Sequence, residues 1–310
     1  MPDLGDRYRG CLLALACGDA LGGPVEFESR ADIAAEHPDG VRDFIGGGPW
    51  RLAPGEVTDD TQMTLALARS LARGGAYDMD DIAKQFVAWM RSGPKDIGNQ
   101  THAALTLISD GVAWDEAGAQ IQREALPKGA AGNGSVMRCA PVALRFRTEP
   151  EAIVPASIDT SRITHADSRC VWSCVAVNQA IAYLLNGGTL DTVAAVATSG
   201  VEDARVVAAV QTARELPRDQ VRSGGYVLAT VTAAFWSLLT HDSLEDTLVA
   251  AVALGEDTDT TAAVAGALAG AYYGAEALPS RWLDLLEPRE ELVTLADRLL
   301  VLSEARESAV

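Results

Sequence analysis

The sequence predicts an all-α protein, and three observations support this fold class. Hydrophobic residues make up 48% of the 310 residues and aromatic residues only 5%, so alanine and leucine supply much of the apolar content. Such a composition favours helices over sheets. Apolar residues also recur at intervals of three and four along most of the chain, which is the helical period. No stretch alternates apolar and polar residues between hairpin turns, so we expect no substantial sheet.

The helical period appears in successive segments from the amino terminus onward. Met63, Leu67 and Leu71, for example, are spaced at i, i+4 and i+8 and share one helix face. Ser243, followed three residues later by Asp246, is typical of a helix amino-terminal cap. In chain order, the predicted helices lie near 4–19, around Met63–Leu71, around Ile82, Phe86 and Trp89, near 101–110, 115–125 and 169–185, around Val206, Val210 and Ala213, near 226–240, from Ser243 to about Leu254, through the alanine-rich stretch 262–273, and near 289–305.

The connections between the predicted helices are mostly short. A long exception runs from Phe44 to Val57 and contains four glycines and two prolines, which prevent regular structure. Such a segment is either a functional lid or an ordinary surface loop, and both interpretations stay open. Because the chain shows no linker, low-complexity tract or internal repeat, we expect residues 1–310 to form a single domain.

Charge and composition exclude several classes of partner and location. The net charge of −18 argues against a nucleic-acid backbone or an anionic membrane as the main partner. The five cysteines are odd in number and form no C-x-x-C pair, as in a protein with reduced thiols. The amino terminus lacks the pattern of a signal peptide, and the longest apolar run, Ala262–Tyr273, is too short to span a bilayer. We therefore expect a cytoplasmic protein, and we expect it to be a monomer.

Two acidic clusters that lie far apart in the sequence give the clearest chemical signal. The first is Thr58-Asp59-Asp60-Thr61, and the second is Asp257-Thr258-Asp259-Thr260-Thr261. Each stands at the start of a predicted helix, so one interpretation is that each cluster simply caps its helix. However, one residue suffices for a cap, and two neighbouring carboxylates repel each other unless a cation lies between them. If the clusters meet, their carboxylate and hydroxyl oxygens suit two Mg²⁺ or Mn²⁺ ions.

Other metal sites fit the sequence less well. Counted from Asp257 as the first position of an EF-hand, the sixth residue is Ala262 where glycine is required, and the twelfth is Leu268 where glutamate is required. Zinc is disfavoured because the four histidines are scattered and no H-E-x-x-H motif occurs.

Several short motifs, taken together and in order, make the chain resemble the ADP-ribosylglycohydrolase family. They extend from near residue 5 to near residue 275. The motifs are Gly18-Asp19-Ala20-Leu21-Gly22 with Pro24-Val25-Glu26-Phe27, Thr58-Asp59-Asp60-Thr61-Gln62-Met63, Asp96-Ile97-Gly98, Gly132-Asn133-Gly134-Ser135-Val136-Met137-Arg138, Thr164-His165, Gly225-Tyr226-Val227, and Gly255-Glu256-Asp257-Thr258-Asp259-Thr260 followed by Ala265-Gly266-Ala267.

The resemblance implies a compact multi-helix orthogonal bundle with a central two-metal cleft, and it assigns roles to individual residues. The implied metal ligands are Thr58, Asp59, Asp60, Asp257, Asp259 and Thr260. The implied catalytic residues are Glu26, Asp59, Asp60 and Asp257. The implied ligand-binding residues are Asp96, Gly98, Gly132, Asn133, Gly134, Ser135, His165 and Tyr226.

Without the resemblance, several of these residues have ordinary structural interpretations. Glu26 would be a solvated surface acid, and His165 would be a buried histidine that satisfies a neighbour. Tyr226 would belong to the core or to its rim. The Gly132–Ser135 segment would be a tight turn, although small residues before a helical stretch also let backbone N–H groups approach a diphosphate.

The implied function is hydrolysis of the bond between ADP-ribose and a modified protein or small molecule, with an arginine side chain as the first choice of acceptor. Serine-linked ADP-ribose, O-acetyl-ADP-ribose and a modified nucleobase stay open, because Glu256 and Gly129-Ala130-Ala131 depart from the pattern of some relatives. Two other functions also stay open. One is a non-catalytic ADP-ribose-binding or structural protein, and the other is a two-metal phosphohydrolase.

Overall fold

The computed structural model describes residues 2–75, 77–125 and 129–307, and within them the chain is all-α, as predicted. Strand-like pairing among these residues is limited to isolated bridges between Gly47 and Leu52 and between Gly132 and Tyr226. The helices are α1 (Leu4–Gly22), α2 (Arg30–Glu36), α3 (Asp59–Leu71), α4 (Met79–Arg91), α5 (Asn99–Ser109), α6 (Trp114–Ala125), α7 (Ala140–Phe146), α8 (Pro150–Arg162), α9 (Ser168–Leu185), α10 (Val193–Ala197), α11 (Ala204–Gln211), α12 (Val227–Thr240), α13 (Leu244–Val252), α14 (Thr258–Tyr273), α15 (Ser280–Leu283) and α16 (Arg289–Glu307).

The centre of the bundle is an antiparallel pair formed by α1 and α14. Glycines face each other across this pair, and a Cβ atom added at Gly270 would lie only 2.0 Å from the carbonyl oxygen of Gly10. At the other end of the pair, a Cβ added at Gly22 would lie 2.5 Å from the backbone nitrogen of Asp259. The absence of side chains therefore brings the two backbones into direct contact, which fixes the start of α14 against the end of α1.

The remaining helices pack on this central pair or on one another through their apolar faces. In α4, for example, Ile82, Phe86 and Trp89 are buried, as their helical spacing predicts. The predicted cap of α13 is also present, because the Ser243 hydroxyl accepts a hydrogen bond from the backbone N–H of Asp246 at 3.0 Å. No described helix has, by itself, the length and apolar content needed to cross a bilayer. Only α1 with its 3₁₀ extension and α2 reach that length together, with a bend of 91° between them.

Some elements differ from the sequence prediction. Helices α2, α7, α8, α10 and α15 were not among the predicted helices, and α8 contains Pro155 inside it. The spacing of Val206, Val210 and Ala213 predicts one continuous helix, but α11 ends at Gln211 and Ala213 begins a separate 3₁₀ turn. Ala213 is nevertheless fully buried, so the periodicity reports a shared buried face rather than an unbroken helix.

Candidate active site

The two acidic clusters meet at the amino-terminal ends of α3 and α14. The Thr260 hydroxyl donates a hydrogen bond to Asp60 Oδ2 at 3.3 Å, which joins the clusters directly across 200 residues of sequence. All six predicted metal ligands are brought to this place. Five of them are buried, namely Thr58, Asp59, Asp60, Asp259 and Thr260. The sixth, Asp257, is partly buried and lines the cavity described below.

These residues do not act as ordinary helix caps. Thr58 is the N-cap residue of α3 and Asp257 is the N-cap residue of α14, yet neither side chain makes a capping hydrogen bond. Capping alone therefore does not explain why polar side chains are concentrated here.

A further buried carboxylate, Asp19, holds the start of α3 in place. Asp19 lies near the end of α1 and accepts hydrogen bonds from the backbone N–H and hydroxyl groups of both Thr58 and Thr61. The intervening Asp59 and Asp60 are thereby fixed at the junction with α14. The sequence analysis included Asp19 in a motif but gave it no role, because its partners are about 40 residues away along the chain.

The cluster holds more negative charge than the described residues compensate. Asp60 Oδ1 and Asp257 Oδ1 are buried and have no hydrogen-bond partner in the described part of the chain. Burial and repulsion from neighbouring carboxylates raise the pKa of Asp59, Asp60 and Asp259 well above the ordinary value. Unpaired carboxylate oxygens in such a setting are what a hard divalent cation would satisfy, so the residues present fit a Mg²⁺ or Mn²⁺ site.

Glu26 and Asp96 extend the acidic surface toward the cavity. One carboxylate oxygen from each of Glu26, Asp96 and Asp259 lies within 4.8 Å of the others. Burial, with smaller contributions from neighbouring carboxylates, raises the pKa of Glu26 to about 8 and that of Asp96 to about 6. Glu26 is therefore not the solvated surface acid that its sequence context alone suggested.

A cavity of about 520 Å³ opens beside the cluster. Of the predicted site residues, Thr58, Asp60, Ser135 and Tyr226 are absent from its lining. The lining consists of Glu26, Phe27, Trp50, Asp59, Asp96, Ile97, Gly98, Asn99, Gln100, Thr101, Gly132, Asn133, Gly134, Met137, His165, Gly225, Asp257, Asp259 and Thr260.

Asn133 attaches the Gly132–Ser135 loop to the acidic cluster. Its side-chain amide donates to Asp257 Oδ2 and to the Thr230 hydroxyl, each at 2.9 Å. The sequence analysis expected a helical stretch after this loop. In the structure only a 3₁₀ turn, Val136–Arg138, follows before the short helix α7. The dipole of a long helix therefore does not face the cavity here, and the loop itself provides the small residues of the cavity wall.

His165 presents a hydrogen-bond donor to the cavity. Arg138 donates to the Thr164 hydroxyl at 2.7 Å, and that hydroxyl lies 2.7 Å from His165 Nδ1. Nδ1 is the only acceptor within reach of the Thr164 hydroxyl among the described residues, so we assign the hydroxyl proton to this hydrogen bond and the ring proton to Nε2. Burial, with the nearby Arg138 charge, lowers the pKa of His165 to about 3, so the ring is neutral. Arg138 itself is buried and does not line the cavity.

Two predicted ligand-binding residues point elsewhere. The Ser135 side chain is buried and accepts a hydrogen bond from the Ser161 hydroxyl at 2.9 Å. Tyr226 is 43% exposed, and the Arg169 guanidinium carbon lies 5.4 Å from the centre of its ring. The tyrosine backbone pairs with Gly132 on the cavity wall, so Tyr226 flanks the cavity without lining it.

The sequence analysis assigned no role to Trp50 or Gln100, although both line the cavity. The Trp50 indole N–H donates to Glu26 Oε2 at 2.5 Å. Gln100 donates to the carbonyl oxygen of Thr164, next to His165, at 3.0 Å. For Trp50 the available signal was its position inside the glycine-rich segment 44–57, where a large aromatic residue is unusual.

Known proteins resemble this chain over its whole length. The family model described as ADP-ribosylglycohydrolase matches residues 1–309. The chain is 35% identical over 302 residues to the ADP-ribosylarginine hydrolase Tri1 of Pseudomonas putida (strain GB-1). This match covers 95% of this chain and 78% of the relative. It is 33% identical over 306 residues to the ADP-ribosyl-(dinitrogen reductase) glycohydrolase of Rhodospirillum rubrum, and this match covers 97% of this chain and 98% of the relative. A solved structure described as an ADP-ribosylglycohydrolase-related protein complex matches with a TM-score of 0.84 at 33% identity, covering 98% of this chain and 100% of the other.

Proposed function

Because the chain belongs to the ADP-ribosylglycohydrolase family, we propose that it uses divalent metal ions to release ADP-ribose from arginine side chains. Hydrolysis of the bond between ADP-ribose and its acceptor is the activity that the relatives share, and the chain is an enzyme of this kind. Arginine is the acceptor of choice because Tri1, which matches at 35% identity, is named as an ADP-ribosylarginine hydrolase.

One observation supports metal dependence most strongly. Asp60 is completely buried at the junction of α3 and α14, and its Oδ1 atom has no partner within the described residues. The proposed ligands are Thr58, Asp59, Asp60, Asp257, Asp259 and Thr260. Two Mg²⁺ or Mn²⁺ ions held there would act as Lewis acids toward the ribose hydroxyls.

Other side chains supply the remaining requirements of the reaction. Cleavage at the anomeric carbon develops positive charge there and needs a proton for the leaving group. Glu26 can hold that proton, because its raised pKa keeps the carboxyl group largely protonated near neutral pH in the metal-free protein. Hydrolysis also adds a water molecule, and Asp59, Asp60 and Asp257 are the candidates for the base that takes a proton from it. His165 can donate from Nε2 to an oxygen of the bound ADP-ribose, which helps to orient it.

Product analysis tests this proposal directly. The protein should be incubated with Mg²⁺ or Mn²⁺ and a panel of arginine-, serine- and acetyl-linked ADP-ribose substrates. We expect free ADP-ribose together with an unmodified arginine acceptor, and we expect no release after chelation. AMP with ribose 5-phosphate would indicate a phosphohydrolase instead, and binding without any turnover would indicate a non-catalytic family member.

A further inference from the structure

Two aromatic side chains form the rim of the cavity next to Glu26. Phe27 is 67% exposed, Trp50 is half-buried, and both line the cavity. Their ring centres lie 6.2 Å apart, and their planes meet at 68°. A single exposed apolar side chain needs no special explanation, but Phe27 is exposed into a cavity and beside a second aromatic ring.

The backbone holds Phe27 at the rim in a strained conformation. Its φ of 69° lies in the left-handed region, and Glu256, which faces it, has a φ of 62°. The two residues are joined by a hydrogen bond from the Phe27 N–H to the Glu256 carbonyl at 2.6 Å, and Glu256 N–H in turn donates to Glu28 at 2.7 Å. Such strain in non-glycine residues is concentrated at functional sites, where the surrounding structure maintains it.

A tight turn places Trp50 opposite Phe27. Gly47 and Leu52 exchange two backbone hydrogen bonds of 2.7 and 2.9 Å, which closes the turn that contains Trp50. Gly48 has a φ of 66°, and a Cβ atom there would lie 2.4 Å from the carbonyl oxygen of Pro24. The turn can therefore lie directly on the segment before Glu26, and the indole N–H reaches the Glu26 carboxylate.

The charge next to this rim favours a cation. The cavity lining contains no lysine or arginine within 2–75, 77–125 and 129–307. If two divalent ions occupy the cluster as proposed above, their four positive charges balance the carboxylates of Asp59, Asp60, Asp257 and Asp259. The carboxyl oxygens of Glu26 and Asp96 beside the rings then remain available as hydrogen-bond acceptors for a cationic group. Aromatic faces combined with carboxylates are a typical arrangement for binding guanidinium and ammonium groups.

We propose that Phe27 and Trp50, with the carboxylates of Glu26 and Asp96, bind the cationic guanidinium of the acceptor and thereby select arginine-linked substrates over uncharged ones. This inference rests on the proposed function. The acceptor fits this place better than adenine does, because the rim lies next to the acidic cluster. Carboxylate oxygens of Glu26, beside the rings, and of Asp259, in the cluster, lie within 4.8 Å of each other. Adenine is separated from the bond that is cleaved by the diphosphate and both riboses.

The first experiment measures binding to the Mg²⁺-loaded protein without turnover. The indole N–H resonance of Trp50, assigned by its loss in Trp50→Leu, should shift when ethylguanidinium is added. Ethylurea, which has nearly the same shape but no charge, should have little effect. The apparent affinity for ethylguanidinium should fall roughly fivefold in Phe27→Leu. Equal shifts with both compounds, or none with either, would contradict the proposal.

The second experiment compares substrates. We expect the ratio of kcat/KM for an arginine-linked peptide to that for a serine-linked peptide to fall about fivefold in Phe27→Leu and in Trp50→Leu. Ile45→Ala is the control, because Ile45 is 45% exposed in the same loop but does not line the cavity. Circular dichroism verifies that each variant is folded.

The outcomes separate the two proposals. If the wild-type protein cleaves arginine-linked ADP-ribose and folded variants keep the ratio within twofold, the aromatic rim does not select the acceptor. If the variants lose ADP-ribose affinity while ethylguanidinium binding is unchanged, the rings bind adenine, and the inference is again overturned. If the wild-type protein does not cleave arginine-linked substrates, the proposed function fails, and the ethylguanidinium titration still tests the rim.

Discussion

At the scale of single residues, Asp19 determines the geometry of the site without belonging to its surface. It is completely buried and accepts hydrogen bonds from both Thr58 and Thr61. We predict that Asp19→Ala lowers the free energy of unfolding by about 2–4 kcal/mol, because buried donors lose a charged acceptor. Asp297→Ala removes only an exposed ion pair with Arg9 and should cost less than about 1 kcal/mol. Urea denaturation of both variants measures the difference, and equal losses would contradict the role assigned to Asp19.

Replacing Asp60 should not lower the stability of the metal-free protein, unlike replacing Asp19. Burial and the neighbouring carboxylates raise its pKa, so a negative charge there is unfavourable in the metal-free protein. We predict that Asp60→Asn leaves the stability of the metal-free protein unchanged or raises it, and lowers kcat by roughly 10³-fold or more. Asp110→Asn, at an exposed position, serves as the control. Near-normal turnover of Asp60→Asn at saturating metal would show that this carboxylate is not essential.

The residue scale also shows what the sequence leaves undetermined. The acidic clusters were identifiable because each contains more carboxylates than a helix cap needs. Trp50 was not, because its role depends on a contact with Glu26, 24 residues away, and on the turn between Gly47 and Leu52. The orientation of Ser135 likewise depends on Ser161, which belongs to a helix that the sequence analysis did not predict.

At the scale of elements, the contact between α1 and α14 positions the site. A Cβ atom at Gly270 would lie 2.0 Å from the Gly10 carbonyl oxygen, so the two backbones would have to separate. We predict that Gly270→Ala lowers the free energy of unfolding by about 3 kcal/mol or more. Gly5→Ala, in the same helix pair but with no contact nearer than 3.4 Å, should raise stability by up to about 1 kcal/mol. If thermal unfolding shows equal effects for both variants, close packing is not what the glycines provide.

The elements themselves were the most predictable part of the molecule. Long, largely apolar helices such as α9 (Ser168–Leu185) and α12 (Val227–Thr240) lie within two residues of their predicted bounds. Short helices such as α2 and α10 have too few turns to show a period. The glycine-rich segment 44–57 could be identified as irregular, but the tight turn inside it depends on contacts with Pro24 and Leu52.

At the scale of the whole molecule, the acidic cluster should make stability depend on pH and metal. The pKa of Glu26 is raised to about 8, and those of Asp59, Asp60 and Asp259 are raised well above their ordinary values. In the unfolded chain these groups titrate near pH 4. The folded protein therefore retains protons that the unfolded chain has released, so its stability falls as pH rises.

This dependence is best measured between pH 6.5 and about 8. In that range His165 opposes the fall only weakly. It is neutral in the folded protein, where its pKa is about 3, and the unfolded chain, where its pKa is near 6.5, holds only about half a proton there at pH 6.5 and almost none at pH 8. We predict that the Tm of the metal-free protein falls from pH 6.5 to pH 8, and that saturating Mg²⁺ reduces or abolishes the fall. A metal-free Tm that rises over this range would contradict the conclusion that the folded protein raises the pKa values of these carboxyl groups.

The central claim is that this carboxylate cluster binds divalent ions, which in turn bind ADP-ribose. Calorimetric titration of ADP-ribose into metal-loaded and chelator-stripped protein tests it most directly. The protein has a net charge of −18 and the ligand is an anion, so without the positive charge of the metal ions the electrostatic field of the protein opposes binding. We predict that removing the metal weakens ADP-ribose binding by at least about tenfold, or roughly 1.4 kcal/mol. Equal dissociation constants in the two titrations would show that ADP-ribose does not contact the metal site, and would contradict the account.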